Sequence, residues 1–206
     1  MKFPAQKYEN AVEFFDGYLD HLAAAAAALD RAALGKAAGL LTELFGADRT
    51  LYVCGNGGSA AISNHLLCDF SKCIQTDTVL LPKVVSLSAS VEIVTAIAND
   101  IDFHDIFVYQ LRTAARKGDA LMTISASGNS ENIVRAIDWA HKNGLKTIAL
   151  TGFTGGRSAS IADINLHVPA GNYGIAEDIH QAIMHMLEQV IRMRLMAPEL
   201  VPERLF

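Results

Sequence analysis

Charged residues are scarce in this chain of 206 residues. Asp, Glu, Lys and Arg make up 19% of it and hydrophobic residues 51%, whereas an average domain has roughly 25% charged residues. This composition excludes intrinsic disorder, and it indicates that some apolar surface is buried between subunits. The 17 basic and 22 acidic residues give a net charge of −5, so bulk charge does not favour nucleic acid as a partner.

Cysteine is sparse as well. The chain has three cysteines, Cys54, Cys68 and Cys73, and their odd number and lack of C-x-x-C spacing argue against a disulfide framework or a cysteine-ligated zinc site. The N-terminal segment contains no long apolar region, so no signal peptide is expected. The apolar run at 22–29 is too short to span a bilayer, so no membrane partner is expected. These absences predict a cytoplasmic protein.

The pattern of apolar residues indicates a single α/β domain over residues 1–206. Two opening helices are predicted, at 8–29 and 31–45, and the alanine run at 23–28 fits either an ordinary surface helix or a helical dimer seam. Beyond them, strands are predicted at 50–54, 119–124, 146–150 and 164–168, with further apolar runs at 79–81 and 84–87. Helices are predicted at 60–71, 131–143 and 175–196, and a loop at 151–160. Strands that alternate with helices predict a parallel sheet with helices on both faces.

Two of the predicted strands run into loops rich in glycine and hydroxyl groups. In the first, CGNGGS at 54–59, glycines permit positive φ and close approach of the backbone to a ligand. The second, SASGNS at 125–130, places hydroxyls at a helix start, where an anion is favoured. Turn formation and N-capping are the ordinary explanation, but two such loops favour a phosphate or sugar-phosphate site. Neither loop matches a P-loop or GxGxxG, so no nucleotide cofactor is predicted.

A second group of residues carries acid–base and metal-binding chemistry. His65 and Asp69 are four residues apart and share a helix face. Glu177 and His185 are eight apart on the last helix and point roughly the same way. Two histidines with two carboxylates can ligate zinc or move protons, and the spacing alone leaves these roles and a structural one open.

In these segments the chain resembles the sugar isomerase (SIS) domain family, most closely its sedoheptulose-7-phosphate isomerases, also called phosphoheptose isomerases. The resemblance runs from the N-terminal helix to about Arg194. The segments on which the resemblance depends lie at 52–60, 96–107, 118–137, 146–156 and 177–185. It implies a flavodoxin-like, doubly wound parallel sheet and a homotetramer in which residues 1–47 take part in oligomerisation. It also implies active sites that form where subunits meet.

The resemblance also implies roles for individual residues. The substrate-binding set is Asn56, Gly57, Gly58, Ser59, Ser125, Ser127, Ser130 and Glu177, with the three later serines holding a phosphate. A zinc ion is implied at His65, Asp69, Glu177 and His185. Asp69 stands where the family has Glu and Glu177 where it has Gln. Asp69, or Glu177 if the shorter Asp69 does not reach, is the expected base, and His185 the expected acid.

The implied activity is aldose–ketose isomerisation of a sugar phosphate, from sedoheptulose 7-phosphate to D-glycero-D-manno-heptose 7-phosphate. This chemistry requires a base, an acid and stabilisation of a developing oxyanion, and no redox cofactor. The alternative is a non-catalytic SIS-domain protein that binds a sugar phosphate or a protein partner, like the relatives that associate with the bacterial replication initiator. A sugar-phosphate sensor with a DNA-binding domain is disfavoured, because two helices occupy the residues before Thr50.

Overall fold

Two helices precede the sheet in the computed structural model, which describes residues 2–206. They are α1, Ala11–Ala27, and α2, Arg31–Gly46. Each begins at a polar residue whose side chain accepts a backbone N–H, Asn10 for α1 and Asp30 for α2. Helix α1 therefore starts three residues later than the predicted position 8. Within residues 2–206 no helix is both long and apolar enough to cross a membrane.

Five parallel strands form one sheet in the order β2-β1-β3-β4-β5. They are β1 Thr50–Gly55, β2 Lys83–Ser86, β3 Ala120–Ser125, β4 Lys146–Thr151 and β5 Ile164–His167. The chain first adds a strand on one side of β1 and then returns to add the rest on the other side. This is the flavodoxin-like order, with its ligand-binding switch point between β1 and β3, and it confirms the predicted fold.

Six further helices connect and cover the strands. They are α3 Gly58–Cys73, α4 Val91–Asp100, α5 Ile106–Ala114, α6 Glu131–Lys142, α7 Gly156–Ile161 and α8 Tyr173–Leu195, with short 3₁₀ turns at Phe103–Asp105 and Pro198–Glu203. The sequence analysis did not predict α4 or α5. The prediction of a loop at 151–160 was wrong in part, because α7 begins there after Gly155, whose φ of +85° is left-handed.

The core lies in two layers, one on each face of the sheet. Along β1, Leu51 and Val53 face one layer while Tyr52 and Cys54 face the other, as a strand with a period of two requires. Both faces are buried, because α1, α2, α3 and α8 cover one and α4, α5 and α6 the other. Helices α3 and α8 therefore pack on the same side of the sheet, and both carry predicted site residues.

Candidate active site

A cavity of about 160 Å³ opens at the carboxyl ends of β1 and β3. Its lining consists of Asn56, Ser59, Ser125, Ala126, Ser127, Ser130, Tyr173 and Glu177, and we call it the hydroxyl cavity. The predicted phosphate-binding serines, the first glycine loop and the last helix thus meet at one place. Gly57 lines a neighbouring cavity of about 220 Å³ instead. Gly58 lies directly against the Glu177 carboxylate, so a Cβ at this position would displace the end of that side chain.

Two helices start at the hydroxyl cavity without a side-chain cap. The N-cap residues Gly57 of α3 and Ser130 of α6 make no capping hydrogen bond through a side chain. By contrast, the side chain of Asn172 caps α8 by accepting the N–H of Ile175. N-capping therefore does not explain Ser130. The positive ends of both helix dipoles converge on this cavity, where they favour an anion.

The serine hydroxyls of the second loop both shape its turn and remain available as donors. Ser125 Oγ accepts the N–H of Gly128 at 3.2 Å, and Ser127 Oγ accepts the N–H of Asn129 at 3.3 Å. Each hydroxyl still has its own proton to donate to a ligand oxygen. Gly128 has a φ of +62° and packs against the backbone of Gly155, so no larger residue fits at the centre of this turn.

A reciprocal pair of amides ties the two loops together. Asn56 Nδ2 donates to Asn132 Oδ1 at 2.9 Å, and Asn132 Nδ2 donates back to Asn56 Oδ1 at 3.0 Å. Asn132 is 1% exposed, and its Oδ1 also accepts the N–H of Ile133 at 2.9 Å. Asn56 lines the hydroxyl cavity, so the buried Asn132 sets the position of a cavity residue. The sequence analysis missed Asn132, whose only signal is its place two residues after the second loop.

Three of the four predicted metal ligands come together between α3 and α8. His65, Asp69 and His185 each offer a ligand atom, and these atoms lie within 4.8 Å of one another. Asp69 Oδ2 is 3.1 Å from His65 Nε2 and 3.4 Å from His185 Nε2. Imidazole nitrogens and a carboxylate oxygen are the donors of catalytic zinc sites, in which three protein ligands leave a position for substrate. The donor set of this metal cluster thus suits zinc.

Glu177, the fourth predicted ligand, is not part of the metal cluster. It precedes His185 by eight residues on α8, which is about 12 Å along the helix axis, so a shared direction does not bring the two side chains together. Besides Asp69, Gln181 also contacts both histidines. Its Nε2 is 2.9 Å from His65 Nδ1 and 3.0 Å from His185 Nε2. The sequence analysis missed Gln181, although its spacing of four residues from His185 was a usable signal.

The environment of Glu177 favours its protonated form. Burial, followed by the negative charge of the neighbouring Asp178, raises the pKa of Glu177 above its ordinary value. Asp178 in turn accepts a hydrogen bond of 2.6 Å from the Tyr18 hydroxyl of α1, and burial together with this contact raises the pKa of Tyr18. A carboxyl group with a raised pKa is well suited to take up a proton from a ligand and return it.

Comparison with known proteins agrees with the geometry. A family model described as SIS domain matches residues 13–152, and the chain belongs to this family. The chain is 42% identical over 137 residues to a phosphoheptose isomerase of Nitratidesulfovibrio vulgaris, a match that covers 66% of this chain and 65% of the relative. A phosphoheptose isomerase of Rhodospirillum rubrum is 36% identical over 155 residues, which are 75% of this chain and 82% of the relative.

A solved structure extends the match to most of the fold. The phosphoheptose isomerase of Neisseria gonorrhoeae superposes on this chain with a TM-score of 0.79 at 31% identity. The superposition covers 87% of this chain and 95% of that one. These similarities confirm the family resemblance seen in the sequence.

Proposed function

We propose that the protein is an aldose–ketose isomerase that converts sedoheptulose 7-phosphate into D-glycero-D-manno-heptose 7-phosphate. The observation that carries the proposal is the hydroxyl cavity, in which three serine hydroxyls, two uncapped helix starts and a carboxyl of raised pKa face one space. The first two features suit a phosphate and the third suits proton transfer. The phosphoheptose isomerases among the relatives support the choice of substrate.

The phosphate end of the substrate binds at the second loop. The hydroxyls of Ser125, Ser127 and Ser130 donate to phosphate oxygens, and such bonds to a charged acceptor are roughly twice as strong as neutral ones. Asn56 and Ser59, on the opposite side of the hydroxyl cavity, bind hydroxyl groups of the sugar chain. No cationic side chain lines this cavity among the described residues, so hydroxyls, backbone N–H groups and helix dipoles balance the phosphate charge.

Glu177 transfers the carbon-bound proton. Its carboxylate takes a proton from C1 of the open-chain ketose, and the C–H electron pair forms the C1=C2 double bond of an enediol. The same group then returns the proton to C2, while the hydroxyl proton on O1 moves to O2 and C1 becomes the aldehyde. Atoms and electrons balance without a redox cofactor. The sequence analysis favoured Asp69 for this role, but Asp69 lies between two imidazoles, where a ligand role suits it better.

We assign His65, Asp69 and His185 to a zinc ion. Zinc, when bound, supplies a Lewis acid that polarises the sugar carbonyl. A carboxylate or imidazole engaged by a metal is not free to transfer protons. This assignment therefore replaces the roles of base and acid that the sequence analysis gave to Asp69 and His185.

We further propose that active sites form between copies of the chain in a homotetramer. Glu177 lies about 12 Å along α8 from His185, so a second copy is needed to bring a metal cluster to the hydroxyl cavity. An apolar groove of about 490 Å³ runs along α1, α2 and α8. Near it, Val12, Phe15 and Leu19 are 65%, 58% and 44% exposed. Such a surface is typical of an interface. It supports our assignment of residues 1–47 of a single-domain subunit to oligomerisation.

The state of the cysteines bears on the compartment. Cys54, Cys68 and Cys73 are all free thiols, and only Cys54 is buried. Free thiols persist where glutathione and thioredoxin keep cysteines reduced. We therefore assign the protein to the cytoplasm.

The decisive experiment presents the purified zinc-loaded protein with sedoheptulose 7-phosphate and with a panel of pentose and hexose phosphates. We expect an aldose 7-phosphate from the heptulose and little conversion of the shorter sugars, together with incorporation of solvent deuterium at C2. Absence of turnover on every sugar would refute the isomerase assignment. Sedimentation of the same sample at micromolar concentration tests the assembly, and a monomer would contradict the tetramer.

A further inference from the structure

We propose that Arg157 is a positioning residue for the phosphate group of the substrate. It does not line the hydroxyl cavity, and it acts from outside by fixing the backbone of the second loop at 125–130. The inference rests on the proposed function in that a phosphate binds at this loop. It goes further, because it assigns the direction of the backbone donors to one side chain on α7.

The start of α6 leaves three consecutive backbone donors free. Within residues 2–206 no group accepts the N–H of Ser130, Glu131 or Asn132. Ser130 lines the hydroxyl cavity, and free N–H groups at a helix start are a ready site for a phosphate. The direction of these donors depends on the peptide planes at the end of the second loop.

Helix α7 holds the carbonyl groups of those peptide planes. The N–H of Ser158 donates to the Gly128 carbonyl at 2.9 Å. The guanidinium of Arg157 donates through Nη2 to the Asn129 carbonyl at 3.1 Å, and Asn129 Oδ1 accepts the N–H of Arg157 at 3.0 Å in return. The C=O and N–H of a trans peptide point in opposite directions. The bond from Arg157 to the Asn129 carbonyl therefore turns the N–H of Ser130 to the opposite side.

The same nitrogen of Arg157 also binds the carboxylate that directly follows the loop. Arg157 Nη2 donates to Glu131 Oε2 at 2.6 Å, and Arg135 Nε donates to Glu131 Oε1 at 3.1 Å. The hydrogen bond from Arg157, followed by that from Arg135, lowers the pKa of Glu131 below its ordinary value. An ionised carboxylate in the first turn of a helix is attracted to the same N–H groups as a phosphate. Arg157 thus holds Glu131 away from the place that the phosphate needs.

Arg135 allows the positioning role to be separated from a simple effect of charge. It binds the same carboxylate as Arg157, and the two side chains are 41% and 51% exposed. The other bond of Arg135 goes to Asp105 Oδ1 at 3.0 Å and not to the second loop. Loss of either arginine removes one positive charge beside Glu131, but only loss of Arg157 releases the Asn129 carbonyl.

The affinity for inorganic phosphate, measured by calorimetry on the folded protein without sugar, tests the proposal. Arg157→Met removes the donors and keeps an unbranched side chain. We expect the Kd of phosphate to rise at least about tenfold, as for the loss of one hydrogen bond to a charged group. Arg135→Met is the matched control and should change this Kd by less than about threefold, as for an exposed ion pair. Asn129→Ala, which removes only the side-chain acceptor, is the second variant and should also raise the Kd.

Steady-state kinetics on sedoheptulose 7-phosphate give a second readout. Arg157→Met should raise KM at least about tenfold and leave kcat within about threefold, because uniform binding is lost while Glu177 stays in place on α8. Unchanged phosphate affinity in folded Arg157→Met and Asn129→Ala overturns the proposal. Equal losses in Arg157→Met and Arg135→Met overturn it as well, and so does wild-type protein that binds no phosphate.

The two proposals fail in distinguishable ways. If wild-type protein turns over the heptulose phosphate and Arg157→Met binds phosphate equally well, the proposed function stands and the role of Arg157 does not. If phosphate binding depends on Arg157 but no sugar is converted, the positioning role stands and the isomerase assignment is refuted.

Discussion

The amides of Asn56 and Asn132 hydrogen-bond each other in both directions, so removal of either side chain breaks two bonds at once. We predict that the effects of Asn56→Ala and Asn132→Ala on the free energy of unfolding are strongly non-additive. The pair also joins the two loops of the hydroxyl cavity. Its loss should therefore weaken substrate binding even though Asn132 does not line the cavity.

The magnitude follows from the hydrogen bonds. A neutral hydrogen bond contributes about 0.5–1.5 kcal/mol net, so the two reciprocal bonds should give a coupling energy of about 1–3 kcal/mol. Asn132→Ala also removes the acceptor of the Ile133 N–H, and the bonds lost then total about 1.5–4.5 kcal/mol. Asn56→Ala leaves the amide of Asn132 buried without that partner, which adds a desolvation penalty of about 1–3 kcal/mol.

The assay is a double-mutant cycle measured by urea unfolding of the wild type, both single variants and the double variant. Asn143→Ala is the control. This exposed Asn lies just past the end of α6 and donates to the Trp139 carbonyl, so its loss should shift stability by less than about 0.5 kcal/mol. Steady-state kinetics on sedoheptulose 7-phosphate provide the functional readout. We expect Asn132→Ala to raise KM more than it lowers kcat, because it frees a binding residue and leaves Glu177 in place.

Additivity would refute this reasoning. If the double variant loses the sum of the single losses within about 0.5 kcal/mol, the two amides do not stabilise each other. A large coupling energy between the two substitutions together with an unchanged KM would confirm the effect on stability but not the effect on binding. The amide pair would then hold the loops without setting the position of Asn56 for the substrate.

Three other predictions concern single residues. Ser127→Ala should weaken substrate binding by about 1.5–3 kcal/mol, measured by calorimetry, with no loss of fold; unchanged affinity would remove Ser127 from the site. Asp69→Asn should lose bound zinc while Asp69→Glu keeps it, and full metal content together with full turnover in Asp69→Asn would contradict a ligand role. Burial lowers the pKa of His180 from 6.5 to about 4 in the folded protein. The folded state thus favours the neutral ring, and the stability present above pH 6.5 is lost as the pH falls toward 4, by up to about 1.4 kcal/mol per pH unit. Urea unfolding of the metal-free protein across this range should show a shallower decline for His180→Leu, and equal slopes would contradict the prediction.

Local features of this chain could be predicted because they depend on neighbours in sequence. The alternation of apolar strands and helices predicted a parallel sheet with helices on both faces. The positions of the two glycine-containing loops predicted the edge of the sheet at which a ligand binds. Helix α7 was missed because its six residues are fewer than two turns, too short to show a period. Helix α1 begins after Asn10, whose side chain accepts a hydrogen bond from the N–H of Val12. The periodicity of apolar residues carries no information about such a capping bond.

The sequence by itself determined the fold class, the family and the residue types of the site. Only the tertiary structure decided which of those residues meet. Gln181 contacts His65 across 116 positions, and Asn56 contacts Asn132 across 76. Helical spacing shows that Glu177 and His185 point the same way. Eight residues nevertheless separate them by about 12 Å along the axis of α8. The sheet and the core fix the position of α8 along its axis relative to α3. This long-range packing brought Gln181, rather than Glu177, next to the metal cluster.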